Sequence, residues 1–478
     1  MPRQPNILFL MTDQMQARVL EPGHPCQTPN LDRLAARGVR FQCAYTPNAV
    51  CSPARASLMT GLLPHNHGVQ TVTGDVAPDK CLLRTEHPHW AQRLVQAGYR
   101  TGYFGKWHVE QTQKVGAFGW QVDGGCLEPR MEAILRAARE RIHKAGYSPV
   151  RYNETPGYVR SVHYGVTDIP PEERPMGLIT REALSFLGEA RQDDMPWCCF
   201  VSFPEPHDPY IAGRAAFERI NVDALELPPN VHDTLEGRPG VYRKLARVWK
   251  SMTDREHREA RACYFASITE LDGQFGRLLD VLDKSGQADN TLVVMTADHG
   301  DLMGAHRMYC KGYTVAEEIY NIPLIVAGAD IARNIVTPAR VGLHDLCPTL
   351  LELTGCKPFD VPDSRSFMTL LQDPAGQARH FTAGYAEYHG SRIPMMQRIA
   401  WKGRFKYVLN GFDFDELYDL EDDPFEMTNL IDSAAHQPVI RERMTFIWER
   451  IRATGDPLEK AQYPMWRIAS FGPLELKK

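Results

Sequence analysis

The sequence lacks the features of several protein classes. Its 478 residues include eleven cysteines, an odd number, and no two of them form a C-x-x-C pair. Neither a disulfide framework nor a zinc ribbon is therefore expected. Lys and Arg number 54 against 59 Asp and Glu, a net charge of −5, which gives no basic field to attract a polyanion. We expect no nucleic-acid partner.

Long hydrophobic runs are also missing. The first apolar run, residues 7–11, is too short for a signal-peptide core or a membrane span. We therefore expect a cytoplasmic protein without a membrane partner. With 43% apolar and 24% charged residues, the composition is typical of a soluble globular protein. A chain of this length is expected to form one large part and a smaller one.

Buried strands alternate with helices along most of the sequence. Continuous apolar runs predict strands, and apolar residues at helical spacing predict helices, with strands at 6–11, 99–104, 197–203, 291–296 and 323–328 and helices at 31–38, 90–98 and 257–285. This alternation predicts an α/β fold with a large, mostly parallel sheet sandwiched by helices. Ligands bind such sheets beyond the carboxyl ends of the strands. Asp13 and Asp298 each follow a buried strand, so we expect both at one edge of the sheet.

We predict a division into residues 1–375 and 376–478. Within the first part, periodicity weakens at 111–195 and 211–256, and we interpret these segments as insertions that lie over the ligand-binding edge and shape a pocket. After residue 375, short strands joined by polar turns predict a small α+β part with an antiparallel sheet, with strands at 398–402, 405–409 and 416–420. The tail, 463–478, carries Trp466 and Phe471 and is a candidate for packing on a neighbouring subunit of a homo-oligomer.

Residues 51–61, CSPARASLMTG, carry the most informative chemical pattern. Pro53 suits the first turn of a helix and good helix formers follow it, so Cys51 is predicted at a helix N-terminus. Unpaired backbone N–H groups at that end favour an anionic group on the Cys51 side chain. Arg55, one turn later, can reach back to the same place. The alternative is a buried structural cysteine.

This stretch resembles the signature of the type I sulfatases, whose cysteine is oxidised to formylglycine. Further elements occur in the family's order: PNILFLMTD at 5–13, TPNLDRL at 28–34, GKWH at 105–108, PHDPY at 206–210, TADHGD at 296–301, KG at 311–312 and ELYDL at 416–420. The resemblance covers the chain to about residue 430. It implies an alkaline phosphatase-like fold, a catalytic domain at 1–375, and maturation by a formylglycine-generating enzyme.

The resemblance also implies one divalent metal ion, Ca²⁺ or Mn²⁺, with Mg²⁺ also suited. Its ligands would be Asp13, Gln14, Cys51, Asp298 and His299. Family members commonly carry two adjacent aspartates at the first pair and end the second pair with Asn or Gln, whereas this chain has Asp-Gln and Asp-His. That departure resembles the phosphonate monoester hydrolase and choline-sulfatase-like branches.

Catalytic roles follow from the same resemblance. A hydroxyl of the hydrated formylglycine, activated by the metal and by His108, would attack sulfur. Arg55 and Lys106 would hold the formylglycine and the sulfate oxygens. His207 and Lys311 would bracket the leaving oxygen, and one of them would act as the general acid. The catalytic set is therefore Cys51, Arg55, Lys106, His108, His207 and Lys311.

Three functions stay open from the sequence. The first is hydrolysis of a small sulfate monoester to an alcohol or phenol and inorganic sulfate, and the second is hydrolysis of a phosphonate monoester or phosphodiester by the same nucleophile. The pair Lys106 and His108 favours the first, because it fits the sulfatase pattern. The third is a non-catalytic binding protein with an unmodified Cys51, which chemically competent residues at every catalytic position disfavour.

A second group of polar residues follows the cysteine motif. His65 and His67 in PHNHG have a spacing that metal ligands can show. Two histidines two residues apart in a turn are more typical of surface or pocket-lining positions, and we interpret them so. Asn66 between them is a candidate for substrate contact.

Overall fold

An eight-stranded mixed sheet is the centre of the fold, in a computed structural model that describes residues 4–73, 78–83, 88–112, 114–125, 129–190, 195–391, 393–460 and 469–473. The strands are β1 Asn6–Thr12, β2 Gly38–Tyr45, β3 Arg100–Gly105, β4 Val122–Gly125, β5 Val150–Asn153, β6 Ser161–Thr167, β7 Trp197–Ser202, β8 Tyr210–Gly213, β9 Thr291–Ala297, β10 Asn321–Ala327, β11 Ile335–Gly342, β12 Ala383–Gly390, β13 Pro394–Lys402, β14 Phe405–Asn410 and β15 Glu416–Asp419.

The helices cover both faces of this sheet and one face of a second sheet. They are α1 Pro29–Ala35, α2 Cys51–Thr60, α3 Pro64–His67, α4 Trp90–Gln96, α5 Pro129–Ala145, α6 Pro175–Ala190, α7 Arg214–Phe217, α8 Gly240–Ala246, α9 Asp254–Ser285, α10 Glu317–Tyr320, α11 Leu346–Leu353, α12 Met368–Gln372, α13 Pro374–Gln377 and α14 Gln437–Thr454. Within the described ranges, none of these helices combines the length and hydrophobicity that crossing a membrane requires.

The strands of the main sheet run in the order β11-β2-β10-β9-β1-β7-β3-β4. Neighbours from β9 through β4 are parallel, and so are β11 and β2. Strand β10 is antiparallel to both of its neighbours. The predicted α/β fold with a mostly parallel sheet is confirmed, whereas the reversed direction of β10 was not predicted. Its apolar run resembles that of the parallel strands because both of its faces are buried.

Strand β1 shows how the two faces are filled. Leu8 and Leu10 belong to a core formed with α6 and α9. Phe9 and its alternate neighbours belong to a second core, formed with α2, α4 and α11. Because alternate side chains point to opposite faces, a strand covered on both sides must be apolar throughout. Complete burial of one such side chain contributes about 1.5–3 kcal/mol.

A separate four-stranded antiparallel sheet follows residue 375, in the order β12-β13-β14-β15. Strands β13 and β14 contain the strands predicted at 398–402 and 405–409, and β15 covers residues 416–419 of the third predicted strand, whereas β12 was not predicted. Helix α14 packs its apolar side, including Met444 and Ile447, against Tyr407 and Leu417 of this sheet. The predicted small α+β part with an antiparallel sheet is confirmed. The domain boundary at 375/376 stays a prediction.

The segment 111–195 differs from a simple insertion. Strand β4 extends the edge of the main sheet beside β3, and α6 contributes Ile179 and Phe186 to the core under that sheet. Strands β5 and β6 join β8 in a three-stranded sheet. This segment therefore contributes regular elements to the core, although the polar faces of α5 and α6 weaken its apolar pattern in the sequence.

The predicted contact of the tail with a neighbouring subunit lies mostly outside the described residues, and so does Trp466. Phe471, which is described, packs on its own chain. Its carbonyl oxygen accepts a hydrogen bond of 2.7 Å from Trp448 Nε1, and Arg441 lies over its ring. Homo-oligomer formation stays a prediction.

A buried ionic network joins α3 to the C-terminal sheet. Glu387 accepts hydrogen bonds from His65 Nδ1 at 2.7 Å and from His389 Nε2, and Arg398 Nε lies 2.8 Å from Asp456. Burial lowers the pKa of His65, but the charge of Glu387 outweighs burial and raises it overall. Burial raises the pKa of Glu387, but the charges of His65 and Arg398 hold it well below its usual range. His65 is therefore part of an ion pair that joins α3 to the C-terminal sheet.

We predict that His65→Gln destabilises the protein more at about pH 6 than at about pH 9. The folded pKa of His65 is raised, so its ion pair with Glu387 contributes fully below the unfolded pKa of about 6.5 and is lost as pH rises through the folded pKa. Glu387 stays ionised throughout this window, and burial lowers the pKa of His389. Scanning fluorimetry of both proteins at the two pH values measures the gap in Tm, which is the Tm of the wild type minus that of the variant at the same pH.

His436→Gln is the control, because His436 Nδ1 lies 2.8 Å from the Ser433 hydroxyl and has no carboxylate partner among the described residues. Its gap in Tm should be equal at the two pH values. A gap for His65→Gln that is as large at high pH as at low pH would contradict the ion pair.

Candidate active site

Four neighbouring parallel strands end at one edge of the main sheet, and each supplies a polar residue there. Asp298 follows β9, Asp13 follows β1, Ser202 ends β7, and Lys106 follows β3. The register pairs Thr12 with Ala297, which places Asp13 beside Asp298. The two aspartates therefore share one edge of the sheet, as predicted.

Cys51 is the first residue of α2 and is buried. Ala54, Leu58 and Met59 of the same helix are packed into the core, which fixes the direction of the helix axis. The free N–H groups of the first turn therefore surround residue 51 and favour negative charge on its side chain. The predicted helix N-terminus is confirmed.

Arg55, one turn after Cys51, links the two aspartates. Its Nε donates to Asp298 Oδ2 at 2.8 Å and its Nη2 donates to Asp13 Oδ2 at 3.1 Å. Its Nη1 donates to Ser202 Oγ at 2.8 Å and to the carbonyl oxygen of Lys106 at 2.9 Å. The guanidinium is fully buried, so every one of these bonds offsets the cost of removing its charge from water.

The second oxygen of each aspartate belongs to a cluster of four buried donor groups. Ligand atoms of Asp13, Cys51, Asp298 and His299 all lie within 4.8 Å of one another. His299 Nε2 is 3.2 Å from Cys51 Sγ, 3.8 Å from Asp13 Oδ1 and 3.7 Å from Asp298 Oδ1. His299 Nδ1 lies 2.9 Å from the carbonyl oxygen of Gly300, which can only accept, so Nδ1 carries a proton. In the neutral ring, Nε2 keeps its lone pair toward the cluster.

These donors fit a divalent cation. Two carboxylate oxygens, one imidazole nitrogen and the side chain of residue 51 converge on one point, and their outer atoms are held by other groups, as is usual around bound metals. Burial raises the pKa of Asp13, but the charges of Lys106, His207 and Arg55 hold it well below its usual range. Asp13 is therefore ionised and ready to bind a cation.

Gln14, the fifth predicted ligand, occupies a neighbouring position. Its Oε1 accepts a hydrogen bond of 2.5 Å from Lys311, and its Nε2 donates to Asp208 and Asp301. Its backbone N–H donates to Asp298 Oδ1 at 3.1 Å, with the backbone in the left-handed region at a φ of 70°. Gln14 thus orients the Asp298 carboxylate, and its own role as a ligand stays a prediction.

Lys106 and His108 flank the cysteine. Lys106 Nζ forms an ion pair with Asp13 and lies 3.8 Å from Cys51 Sγ. Its position depends on Gly105, where a Cβ would lie 2.0 Å from the carbonyl oxygen of Ser202 and where φ is +97°. The Nδ1 atom of His108 is buried and has no hydrogen-bond partner among the described residues. The side chain of His108 lines the cavity that contains Cys51.

His207 and Lys311 form the opposite wall. Lys311 Nζ contacts His207 Nε2, and His207 Nδ1 lies 2.7 Å from the carbonyl oxygen of Asp208. Burial and Lys311 lower the pKa of His207, but the charges of Asp208 and Asp13 raise it overall. Burial lowers the pKa of Lys311, but the negative charges around it raise it overall. The raised pKa values favour the protonated forms, so this pair holds a transferable proton near neutral pH.

The positive charges around the site act on residue 51. Burial raises the pKa of the Cys51 thiol, but the charges of Lys106, Lys311 and His299 hold it well below its usual range. The environment therefore stabilises a negative charge on the side chain at this position. That is the property that an ionised nucleophile requires.

Two cavities open beside the cluster. One, of about 410 Å³, lies over Cys51 and is lined largely by apolar and aromatic side chains, among them Val50, Leu245, Trp249, Leu302, Tyr309 and Tyr313. The other, of about 530 Å³, is bounded by α5, α6 and Glu205. His108, His207 and Asp208 line both cavities. Segments 111–195 and 211–256 contribute to these walls, as the sequence analysis expected of a pocket.

Several residues at the site were not predicted. Ser202 binds Arg55, and Tyr210 donates a hydrogen bond of 2.7 Å to Asp301. Burial raises the pKa of Asp301 to about 6. Ser202 ends an apolar strand as Asp13 and Asp298 follow theirs, so the same rule could have identified it. Trp249, Tyr309 and Tyr313 form an aromatic wall of the cavity over Cys51. This aromatic wall gave no sequence signal, because its residues lie on distant segments.

The polar residues His65, Asn66 and His67, in contrast, do not line these two cavities. Asn66 Nδ2 donates to Asp363 Oδ2 at 2.9 Å and to the carbonyl oxygen of Thr454 at 2.9 Å. His67 Nε2 is 2.9 Å from Ser57 Oγ. The Asn66 amide is therefore turned toward the C-terminal part of the chain, and its contact with a substrate stays a prediction.

Comparison with known proteins gives the family. A family model described as Sulfatase matches residues 5–356. The chain belongs to the sulfatase family. A second model, described as N-sulphoglucosamine sulphohydrolase, C-terminal, matches residues 304–453 of this sulfatase. The resemblance seen in the sequence is therefore confirmed, and the chain is a sulfuric ester hydrolase.

Individual relatives span nearly the whole sulfatase. The uncharacterized sulfatase YidJ of Escherichia coli is 30% identical over 97% of this chain and 91% of its own length. The choline-sulfatase of Rhizobium meliloti is 30% identical over 90% of this chain and 83% of its own. The phosphonate monoester hydrolase of Silicibacter pomeroyi has a similar fold, with a TM-score of 0.78, 22% identity and coverage of 95% and 97% of the two chains.

We predict that Asp298→Asn weakens binding of a divalent cation at least about tenfold. The change removes one of the two carboxylate charges of the cluster while keeping its size, and Arg55 retains Asp13 as its partner. Isothermal titration with Mn²⁺ and Ca²⁺ measures the affinity. Asp272→Asn removes a buried carboxylate of α9 that lies outside the cluster and accepts hydrogen bonds from the backbone of Asn30 and Leu31, and it is the control. Equal affinities in wild type and Asp298→Asn would contradict the proposed ligand.

Proposed function

We propose that this sulfatase hydrolyses the sulfate monoester of a small molecule by means of a formylglycine formed from Cys51 and one divalent metal ion. The observation that supports this most strongly is the position of residue 51, at a helix N-terminus among Lys106, His108, His207 and Lys311 and beneath a cavity of about 410 Å³. Sulfate ester cleavage requires a nucleophile, positive charge around the sulfate oxygens and a proton for the leaving oxygen.

Two groups, a formylglycine and a divalent ion, would add their chemistry to this site. A formylglycine at position 51 supplies a hydrated aldehyde whose hydroxyl is the nucleophile. A divalent ion held by Asp13, Asp298 and His299, with Gln14 as a further predicted ligand, supplies positive charge that favours ionisation of that hydroxyl. The ion is Ca²⁺ or Mn²⁺, with Mg²⁺ also suited, because hard oxygens and one imidazole are the donors of the matured chain.

Arg55 and Lys106 hold the nucleophile and the sulfate in place. Arg55 fixes both aspartates and lies one helical turn behind residue 51. Lys106 Nζ extends from Asp13 toward residue 51, at 3.8 Å from the sulfur. Its ammonium group therefore lies where an oxygen of a bound sulfate would gain most from a positive charge.

Proton transfer is assigned to the two histidines and Lys311. His108 lines the cavity beside residue 51 and takes the proton of the attacking hydroxyl. His207 and Lys311 lie across the cavity, in mutual contact. Their positions let one of them give a proton to the leaving oxygen, and Asp208 keeps the His207 ring oriented through its carbonyl oxygen.

The cavity over residue 51 indicates the character of the leaving group. Trp249, Tyr309 and Tyr313 line it, while its charged and titratable residues, Lys311, His108, His207 and Asp208, belong to the catalytic wall. Apolar walls with a few convergent polar groups are typical of small-molecule sites. A compact apolar or aromatic alcohol therefore fits better than a highly charged one.

The alternatives remain tied to specific features. Phosphonate monoester or phosphodiester hydrolysis stays the second function. It is favoured by the pairs Asp13-Gln14 and Asp298-His299 and by the similar fold of a phosphonate monoester hydrolase. A binding protein with an unmodified Cys51 would not need a proton donor and acceptor on opposite sides of that residue. The cytoplasmic location also stays a prediction.

We predict that co-expression with a formylglycine-generating enzyme converts Cys51 and produces an enzyme that releases sulfate from an aryl sulfate faster than it cleaves an aryl phosphonate monoester. Peptide mass spectrometry across residue 51 follows the conversion, and paired assays compare the two rates. Faster phosphonate cleavage would transfer the proposal to the second function. Turnover by a chain whose Cys51 is entirely a thiol would overturn the formylglycine mechanism.

We predict that His207→Asn lowers kcat by about 10²- to 10⁴-fold for an alkyl sulfate and much less for 4-nitrophenyl sulfate. A poor leaving oxygen needs a proton in the transition state, whereas a nitrophenolate leaves without one. Lys311→Met is tested on the same pair of substrates. The residue whose loss discriminates between the substrates is the general acid. Equal losses on both substrates for both variants would contradict this assignment.

A further inference from the structure

The four-donor cluster changes its chemistry when Cys51 is modified. Before modification it contains a sulfur donor, one imidazole nitrogen and two carboxylates, and after conversion to formylglycine the sulfur is gone. Thiolates favour zinc and other soft metals, whereas carboxylates and hydroxyls favour harder ions. The same cluster therefore has two donor sets, one for each state of residue 51.

The geometry of the unmodified cluster suits tetrahedral coordination. Zinc bound at about 2.0 to 2.3 Å from N, O and S donors separates those donors by about 3.4 to 3.6 Å. Cys51 Sγ lies 3.2 Å from His299 Nε2 and 3.7 Å from Asp13 Oδ1. His299 Nε2 lies 3.8 Å from Asp13 Oδ1 and 3.7 Å from Asp298 Oδ1. Four edges of the tetrahedron are thus within a few tenths of an ångström of the required length.

The surroundings hold each donor in place. Arg55 binds Oδ2 of both Asp13 and Asp298, so Oδ1 of each faces the cluster. The backbone N–H groups of Gln14 and His299 hold Oδ1 of Asp298 in this orientation. The Gly300 carbonyl fixes the His299 ring. Lys106 Nζ at 3.8 Å from Cys51 Sγ can donate a hydrogen bond to a metal-bound sulfur. Supporting contacts of this kind raise metal affinity.

We propose that the unmodified chain is a zinc-binding protein, and that conversion of Cys51 replaces its zinc site by a site for a harder ion. The zinc ligands are Cys51 Sγ, His299 Nε2, Asp13 Oδ1 and Asp298 Oδ1. On binding, the Cys51 S–H bond breaks, an S–Zn bond forms, and the proton passes to the solvent. Calcium would bind this state poorly, because it requires six to eight oxygen ligands. Unmatured molecules are therefore expected to carry zinc.

The test uses the full chain expressed without a formylglycine-generating enzyme, with the thiol verified by intact mass. After chelator treatment, Zn²⁺ is titrated in competition with a chromophoric chelator, and Co²⁺ is bound in parallel as a spectroscopic probe. We expect one Zn²⁺ per chain and a sulfur-to-cobalt charge-transfer band in the near ultraviolet. Calcium at the same concentration should not displace the zinc.

Two cysteine variants isolate the sulfur ligand. Cys51→Ser should weaken zinc binding at least about tenfold and abolish the charge-transfer band. Cys43→Ser removes a thiol from β2, outside the cluster, and should leave both properties unchanged. Equal zinc affinity and an unchanged cobalt spectrum in Cys51→Ser would overturn the proposal.

A measurement on the wild-type chain covers the case in which Cys51→Ser fails to fold. Zn²⁺ should slow alkylation of Cys51 by iodoacetamide at least tenfold, as followed by peptide mass spectrometry. An unchanged alkylation rate in saturating zinc would also overturn the proposal. Zinc binding by the thiol form does not depend on the proposed function, and only the contrast with the matured chain rests on it. Failure of conversion would therefore leave the zinc result standing.

Discussion

The buried guanidinium of Arg55 is the interaction on which the site depends. It is fully buried, and it binds Asp13 and Asp298 at the ends of two adjacent strands. A buried charge without partners is strongly unfavourable, and removing one partner of a buried pair typically costs about 3–5 kcal/mol. The ends of β1 and β9 and the start of α2 consequently depend on one another for their stability. Each aspartate binds Arg55 with Oδ2 and turns Oδ1 toward the proposed cation site.

This arrangement also fixes the reacting position. Cys51 and Arg55 are one turn apart on α2, so an arginine that is anchored to both aspartates places residue 51 beside their free oxygens. The same helix directs its N-terminal N–H groups to residue 51. The proposed nucleophile and the proposed cation site are thereby brought together by two residues of a single helix. The C-terminal sheet stabilises this region indirectly, because its Glu387 binds His65 just after α2.

The sequence was most informative where local pattern and three-dimensional position are linked. The carboxyl ends of parallel strands lie at one edge, so Asp13 and Asp298 could be paired across 285 positions, and the motif around Cys51 placed it at a helix N-terminus. The direction of β10 could not be predicted, since burial of both faces gives parallel and antiparallel strands the same apolar pattern. Side-chain orientation was also inaccessible. Gln14 follows Asp13 in the chain, but its amide oxygen binds Lys311.

The aromatic wall of the cavity was beyond the reach of sequence patterns for a different reason. Trp249, Tyr309 and Tyr313 come from loops whose separate conformations bring them over residue 51, and neither helical nor strand periodicity constrains them. Their effect is nevertheless physical and direct. Apolar walls exclude water, and in the lower dielectric each charge of Lys106, His207 and Lys311 acts more strongly on a bound anion. The cationic groups and the apolar lining therefore work together, because the lining amplifies the field that the cations produce.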